Sequence, residues 1–552
     1  MRTTSRKAIS ILLSIVMALT ILPLSVFATG EDTTSSVTDL TTPVEPEKVS
    51  DVYQIGTTNE LYWYANTINA TQSPSSDDFK AILTADINFN PGVTFEYREE
   101  SGCIAVRKMS EDGQQLEAFL GTGLNGTENG VWLDGSDVIE LNAWIPIYNM
   151  KSYFNGNGHT IDGVYVNSAE QAAEINFSQY PGYIYGAPGF FGYIGNGGSV
   201  SHLKIGANSC VVSNQGTAGG VAGVSSGLMY VVENHATVVG FGAGTTYEPA
   251  GVGGIVGKLR NHDISSCINY GTVIGVLKTT YSQDQPSYYR PFVGGIAGGA
   301  SNSTSGTSGI ASSFNFGNVY AEGGYAAGIL SRTTNTTQCT GDSVRYCANY
   351  GNVEGMHAAG VVDYAVINTI VELCANYGAV TGTAFAAGVI GETVGGELRG
   401  CFNAGPVRLT DTYPASDSYF RSNSYSGAFA LVAGSGVTSE DVTNGYNDAD
   451  VCPAELFREY YGSDAPVCYS VPQSTFTSGE VGYKLNQIYS SSSRWMVQRL
   501  ADPGPSEEDG QLSNQVQHFL EINSRGDKKP SVFRGRLLIR DTTACNSSSV
   551  TL

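Results

Sequence analysis

Apolar positions along most of this chain fall in short alternating runs cut by glycine and asparagine, and one such run keeps returning. It reads Cys267-Ile268-Asn269-Tyr270-Gly271-Thr272-Val273, Cys347-Ala348-Asn349-Tyr350-Gly351-Asn352-Val353 and Cys374-Ala375-Asn376-Tyr377-Gly378-Ala379-Val380. Weaker copies are Phe314-Asn315-Phe316-Gly317-Asn318-Val319 and Cys401-Phe402-Asn403-Ala404-Gly405-Pro406-Val407. The anchor asparagines Asn315, Asn349, Asn376 and Asn403 lie 34, 27 and 27 residues apart. A second mark, small-Gly-aliphatic-Xaa-small, runs ahead of the anchors. Its copies are Gly219-Gly220-Val221-Ala222-Gly223, Gly253-Gly254-Ile255-Val256-Gly257 and Gly294-Gly295-Ile296-Ala297-Gly298. Ala327-Gly328-Ile329-Leu330, Ala359-Gly360-Val361-Val362 and Ala387-Gly388-Val389-Ile390-Gly391 continue it. Like residues at one phase of a period imply identical supersecondary units stacked in register.

Runs as short as Val273-Ile274-Gly275 and Val380-Thr381-Gly382 cannot be amphipathic helices, which need about 10 residues of 3.6 periodicity. Helical solenoids are thereby excluded. The pattern predicts an all-β chain: a right-handed parallel β-helix (solenoid) with short helical caps and disordered termini, its hand set by the crossover rule. Gly and Asn are expected at the bends, where positive φ is tolerated. Asparagines of successive turns should hydrogen-bond up the stack. Turns about 4.8 Å apart make the six marked here a rod of about 30 Å. Open strand edges need covering. Residues 59–69, with Leu61, Ala65 and Ile68 on one face behind the capping Thr57 and Thr58, predict a helix over the first turn. Residues 454–461 and 480–489 predict short helices at the far end.

The two marks resemble the GLUG-type repeats of secreted bacterial β-helix proteins, members of the pectin-lyase-like superfold. Other landmarks share the resemblance: Tyr53-Gln54-Ile55 with the segment from Glu60 to Asn69, Ala81-Ile82-Leu83-Thr84-Ala85-Asp86-Ile87, and Trp144-Ile145-Pro146-Ile147. Phe154-Asn155-Gly156-Asn157-Gly158-His159-Thr160-Ile161 and Gly189-Phe190-Phe191-Gly192-Tyr193-Ile194 follow in the same order. It spans roughly residues 51–435, with a further short likeness at Ser478 to Asn486. It implies the fold and says little of function, because such repeats serve several roles. Residues 88–143 are a longer insertion than the family leads one to expect, and past Trp495 the likeness fades.

Arg2, Arg6 and Lys7 precede an apolar run from Ile9 to Leu22, and Val26-Phe27-Ala28 fits a cleavage site, so residues 1–28 read as a secretory signal peptide. Residues 29–50, rich in Thr, Ser, Pro and Glu, read as a disordered lead-in. No second long apolar run follows, so no transmembrane segment is expected. The chain reads as secreted or extracellular, with retention at a cell wall compatible. It carries 51 acidic residues against 29 Lys and Arg; loss of the three leader cations leaves 26 against 51, a net of about −25. That charge keeps a glycine-rich rod in solution and argues against nucleic acid or anionic membrane as partners. Residues 525–540 are the exception, with six basic residues and one acid, and read as a solvated tail.

The chain has ten cysteines. Cys267, Cys347, Cys374 and Cys401 each sit two residues before an anchor position and are expected to form a column of thiols inside the bore. Bridges within it are disfavoured because neighbouring side chains point the same way. Cys452 and Cys468 are the better disulfide candidates.

Candidate chemistry is sparse. The histidines His159, His202, His235, His262, His357 and His518 form no His-Glu-Xaa-Xaa-His, and neither a nucleophile elbow nor a phosphate loop is present. No metal or other cofactor is expected. Glycosidase chemistry needs two carboxylates about 5 to 10 Å apart, and Glu354, Asp363 and Glu392 are the set that stacked turns could bring together. Arg332, Arg345 and Arg399 are scattered. Thirty-two tyrosines are present. Tyr270, Tyr350 and Tyr377 are expected to stack on one another along the rod. Tyr281, Tyr288 and Tyr289, with Arg290, occupy a break in the period and are candidate binding residues for a sugar or a protein surface. Arg525-Gly526-Asp527 matches an integrin-binding tripeptide, a pattern common by chance.

The chain thus divides into 1–28, 29–50, a cap with first strands at 51–160 carrying the insertion 88–143, repeats at 161–437, a capping segment at 438–493 and an irregular tail at 494–552. The expected function is non-catalytic adhesion or binding to a glycan or to a host or cell-surface protein. The alternative is a carbohydrate-active enzyme, a polysaccharide lyase or glycoside hydrolase. Ligand and oligomeric state are left open.

Overall fold

The computed structural model describes residues 42–485 with short breaks, together with 496–499, 517–522 and 531–534. The chain is mostly β, and its large sheets are parallel. Among the described residues these comprise 22, 12 and 9 strands. One repeat visits each in turn. Asp263–Ser265 and Ile268–Asn269 join the largest sheet, Val273–Leu277 and Phe292–Gly294 the second, and Ala297–Ser301 the third; Gly309–Ala311 then returns to the first. Each strand pairs in register with its counterpart one repeat on, as Ile264 with Ile310 and Val273 with Val319. Aliphatic side chains from all three sheets, among them Ile264, Val273 and Val256, meet in one fully buried core.

The anchor asparagines lie in direct register, Asn349 beside Asn376 and Asn376 beside Asn403. Each Nδ2 donates to the Oδ1 of the next, at 2.9 Å from Asn234 to Asn269, 2.8 Å from Asn269 to Asn315 and from Asn315 to Asn349, and 2.8 Å from Asn349 to Asn376. The series continues through Asn376 to Asn403 at 2.9 Å and Asn403 to Asn447 at 3.1 Å. The second Nδ2 hydrogen bonds a carbonyl two residues on, as Asn349 to Gly351 at 2.8 Å. The expected ladder is present.

The glycines work differently from the expectation. Neither the anchor asparagines nor the glycines after them have positive φ. A Cβ on Gly351 would stand 1.9 Å from the carbonyl oxygen of Gly317, and one on Gly378 equally close to that of Gly351. These glycines let successive repeats approach. In the other mark, a Cβ on Gly254, Gly295 or Gly328 would lie 2.3 Å from Cγ of Asn269, Asn315 or Asn349. The two marks are therefore halves of one contact, an asparagine amide seated on a bare glycine. Positive φ falls elsewhere, at the corner that splits the largest sheet: His202, Val231, Ser266, Ser312, Tyr346, Leu373 and Gly400.

At the front, Thr58–Ala70 is helical, as predicted, with Thr57 as N-cap and Glu60 completing a capping box. Leu61, Ala65 and Ile68 are buried in the main core, and Tyr64 Oη donates to the Phe79 carbonyl at 2.7 Å. The insertion forms an antiparallel sheet of Val93–Arg98, Cys103–Met109 and Gln115–Gly121. Its apolar face covers the outer side of the second parallel sheet, where Phe95 stacks on Tyr165 and Val239, Phe241, Ile274 and Val276 are buried. At the back, the helix expected over 454–461 is absent: Phe457–Tyr460 is a strand paired with Ala430–Ala433. Ladder hydrogen bonds at an open edge outweigh the weak propensity of so short a helix. A helix forms instead at Gln473–Thr477, and Phe476, Val481 and Leu485 pack on Phe402 and Tyr446 outside the largest sheet. In the region read as an irregular tail, Met496–Arg499, Gln517–Ile522 and Ser531–Arg534 form a small antiparallel sheet. The leader, most of the lead-in, Arg525-Gly526-Asp527 and the remainder of the tail lie outside the described residues.

Cys267, Cys347, Cys374 and Cys401 share one buried column, interrupted by Ser313 between the first two. All four are unbridged thiols. The Cys374 amide donates to Sγ of Cys401 at 3.4 Å, and burial pushes the Cys267 thiol up to about 12. Cys468 is likewise an unbridged thiol, so the disulfide expected between Cys452 and Cys468 is not formed. Cys468 sits at the next rungs of the same column, beside Gly445, and burial raises its thiol as well.

Asn376→Ala would leave a donor on Asn349, an acceptor on Asn403 and the Gly378 carbonyl without partners. A loss of about 3 kcal/mol is expected in denaturant unfolding. Val231, with φ of 54° and 39% exposed, carries a β-branched residue in a left-handed corner; Val231→Asn should gain about 1 kcal/mol in the same assay.

Candidate functional site

Four residues beyond the second glycine of each Gly-Gly-aliphatic mark, the third sheet carries a column outside the main core, buried at Val224 and Lys258 and half-buried at Arg332, Tyr364 and Glu392. In register it reads Val224, Lys258, Gly299, Arg332, Tyr364 and Glu392. Beside it the second sheet ends in a column of rings: Phe292, Tyr325, His357 and Phe385. Phe292 and Tyr325 stack at 4.7 Å, and His357 lies 4.7 Å from Tyr325 and 4.2 Å from Phe385. Burial, with help from the Arg290 charge, holds His357 down at about 3, so it is a neutral aromatic rung.

The two columns meet at Arg332. Its guanidinium carbon is 5.0 Å from the ring centres of both Phe292 and Tyr364, and its Nε is buried without a hydrogen-bond partner among the described residues. The carboxyls lie one and two repeats on. Asp363 is 3% exposed, and its Oδ1 rests over Gly391, where a Cβ would come within 2.8 Å. Burial, then the charge of Glu392, raise the Asp363 pKa well above the usual range, while Arg332 opposes them. Burial also raises Glu392, again opposed by Arg332. Both carboxyls therefore hold their protons more tightly than a free carboxyl does.

Of the three carboxylates singled out from sequence, Asp363 and Glu392 come together. Glu354 does not: it is exposed on the second sheet, in register with Tyr320 and Thr381. Arg345 and Arg399 face Glu372 and Glu397 on the largest sheet, away from this pair. Arg290 is buried rather than presented to a ligand. It donates to the Gly323 carbonyl at 2.7 Å and sits against Sδ of Met356. Tyr281, Tyr288 and Tyr289 lie outside the described residues. The repeat tyrosines stack as expected, His235, Tyr270, Phe316, Tyr350 and Tyr377 being spaced by 4.5, 5.2, 4.8 and 4.8 Å. Their faces are turned to one another, which leaves edges, not faces, for any ligand. The constant four-residue offset from the glycine mark was the signal by which Lys258, Arg332 and Tyr364 were findable in sequence.

Among the described residues no cluster of His, Cys, Asp and Glu is placed to hold a metal, and no helix is long and apolar enough to cross a membrane. No family model matches the chain, and no curated protein matches it. Among solved structures it is similar to one described as a "putative immunoglobulin A1 protease" from Bacteroides ovatus. Identity is 16% over 71% of this chain and 87% of that chain, with a TM-score of 0.33.

The native state holds the Asp363 proton more tightly than the unfolded chain. Stability therefore falls as pH rises from about 4, the unfolded carboxylate range, through the raised native value, and then levels. Asp363→Asn should flatten this decline and gain on the order of 1 kcal/mol at neutral pH, read from melting temperatures measured across that range.

Proposed function

We propose that the three parallel sheets are the faces of a right-handed parallel β-helix built on GLUG-like repeats, exported and displayed at a cell surface, where it binds a glycan. The observation that carries this reading is the pair of columns along the rod. Lys258, Arg332, Tyr364 and Glu392 repeat their polar ends at the strand spacing beside a wall of rings. A one-dimensional array of donors and acceptors suits a linear, hydroxyl-rich polymer lying along the axis better than a compact globular partner. Rungs fixed by sheet hydrogen bonds are pre-organised, so little side-chain entropy is lost on binding.

A second reading, a carbohydrate-active enzyme, is favoured by one observation, the buried Asp363 held near Glu392 and raised toward its protonated form. A proton-bearing acid beside an ionisable carboxylate is what glycosidic cleavage requires.

Glycan-array binding by the full secreted chain tests the first reading, with Tyr364→Ala and Glu392→Gln expected to weaken it about tenfold each. Release of reducing or unsaturated sugars from a bound glycan, abolished by Asp363→Asn, would establish the second reading instead. An array without any ligand would remove the glycan from both.

A further inference from the structure

Within that column of the third sheet, Gly299 is the one rung without a side chain between Val224 and Glu392. Among the described residues the only neighbour within 4 Å of where its Cβ would stand is the Arg332 carbonyl oxygen, at 3.8 Å. The missing side chain opens a notch, with Gly298 and Gly299 as floor, Phe292 and Thr334 as walls, and Lys258 and Arg332 at its two ends. Two cations thus face one another across a bare glycine, on a chain whose net charge is −22. Among the described residues the buried Nε of Arg332 has no hydrogen-bond partner, so no protein acceptor engages the guanidinium at that atom.

Resting on the glycan reading above, we propose that this notch is an anion subsite. It takes the carboxylate or sulfate ester of an acidic sugar, while hydroxyls of the following sugars meet Tyr364 and Glu392 farther along the column. From Gly299 to Glu392 is three strand spacings, about 14 Å, the length of a short oligosaccharide. The order of charges selects the ligand. A polyacidic peptide would bring carboxylates against Glu392, whereas a glycan with an isolated anionic group places it at the cations and presents neutral donors to that acid. The net negative charge of the chain disfavours densely charged anionic polymers in the same way.

The test is titration calorimetry of the full secreted chain with three hexasaccharides: a neutral one, one alternating uronate with neutral sugar, and one bearing sulfate esters. At least one acidic ligand is expected to bind about tenfold or more tighter than the neutral one, with a preference that shrinks as salt rises. The acidic ligand that binds more tightly identifies which anionic group the notch takes. Arg332→Gln should collapse the acidic-to-neutral preference to about one by removing the charge-assisted contact. Gly299→Leu keeps both cations and fills the notch, and should do the same. If Arg332→Gln does not fold, judged by its thermal transition, Gly299→Leu decides alone. Equal affinity for neutral and acidic hexasaccharides, or a preference that survives Gly299→Leu, overturns the subsite and leaves glycan binding standing. Failure of all three to bind, with the array also empty, overturns the glycan reading and the subsite with it.

Discussion

An asparagine amide resting on a bare glycine is the contact on which the rest of this molecule depends. Each anchor asparagine uses one amide hydrogen to close its own turn and the other to reach the next repeat, as Asn349 does to Gly351 and Asn376. The same side chain lies over the glycine of the second mark, too close for any Cβ. Side-chain amides buried at 0% exposure are tolerable only when both donors and the acceptor are paired. That requirement locks the relative height of neighbouring repeats. Because a single residue of slip would break every rung at once, the register is specified far more sharply than by apolar packing alone.

Once height is fixed, whatever lies at a given offset from the marks becomes a column. This accounts for the thiol column, the stacked rings of Tyr270, Phe316, Tyr350 and Tyr377, and the polar column of Lys258, Arg332, Tyr364 and Glu392. Their chemistry differs, but their origin is common. The thiols are buried, and burial raises those of Cys267 and Cys374, which disfavours the reactive thiolate there. The stacked rings spend their faces on one another. In the polar column Arg332, Tyr364 and Glu392 keep partial access from outside.

Much of this was legible in the sequence where identity and phase coincide. The asparagine ladder, the thiol column and the ring stack each repeat one residue type at one offset, so counting finds them. The left-handed corner was not legible, because it accepts histidine, valine, serine, tyrosine and leucine at His202, Val231, Ser266, Tyr346 and Leu373. There the surrounding ladder imposes the conformation and local propensity yields to it. Grouping Glu354 with Asp363 and Glu392 erred because closeness in sequence crosses from one sheet to another, whereas the Asp363 to Glu392 step stays within one. Arg290 looked like a surface residue from its polar, tyrosine-rich neighbours, yet a strand begins just after it and its head bonds the Gly323 carbonyl.

The long strand Val319–Ala327 pairs with Val273–Leu277 through its first half and with Phe292–Gly294 through its second. Leu277 and Phe292 therefore flank the middle of a single strand position, and the pairing on either side of it is kept. Val380–Ala387 receives Val407–Leu409 and Tyr425–Gly427 in the same split fashion. Such a seam separates the heredity of the scaffold from that of its excursions: segments there can lengthen, shorten or be exchanged while the frame beneath stays constant.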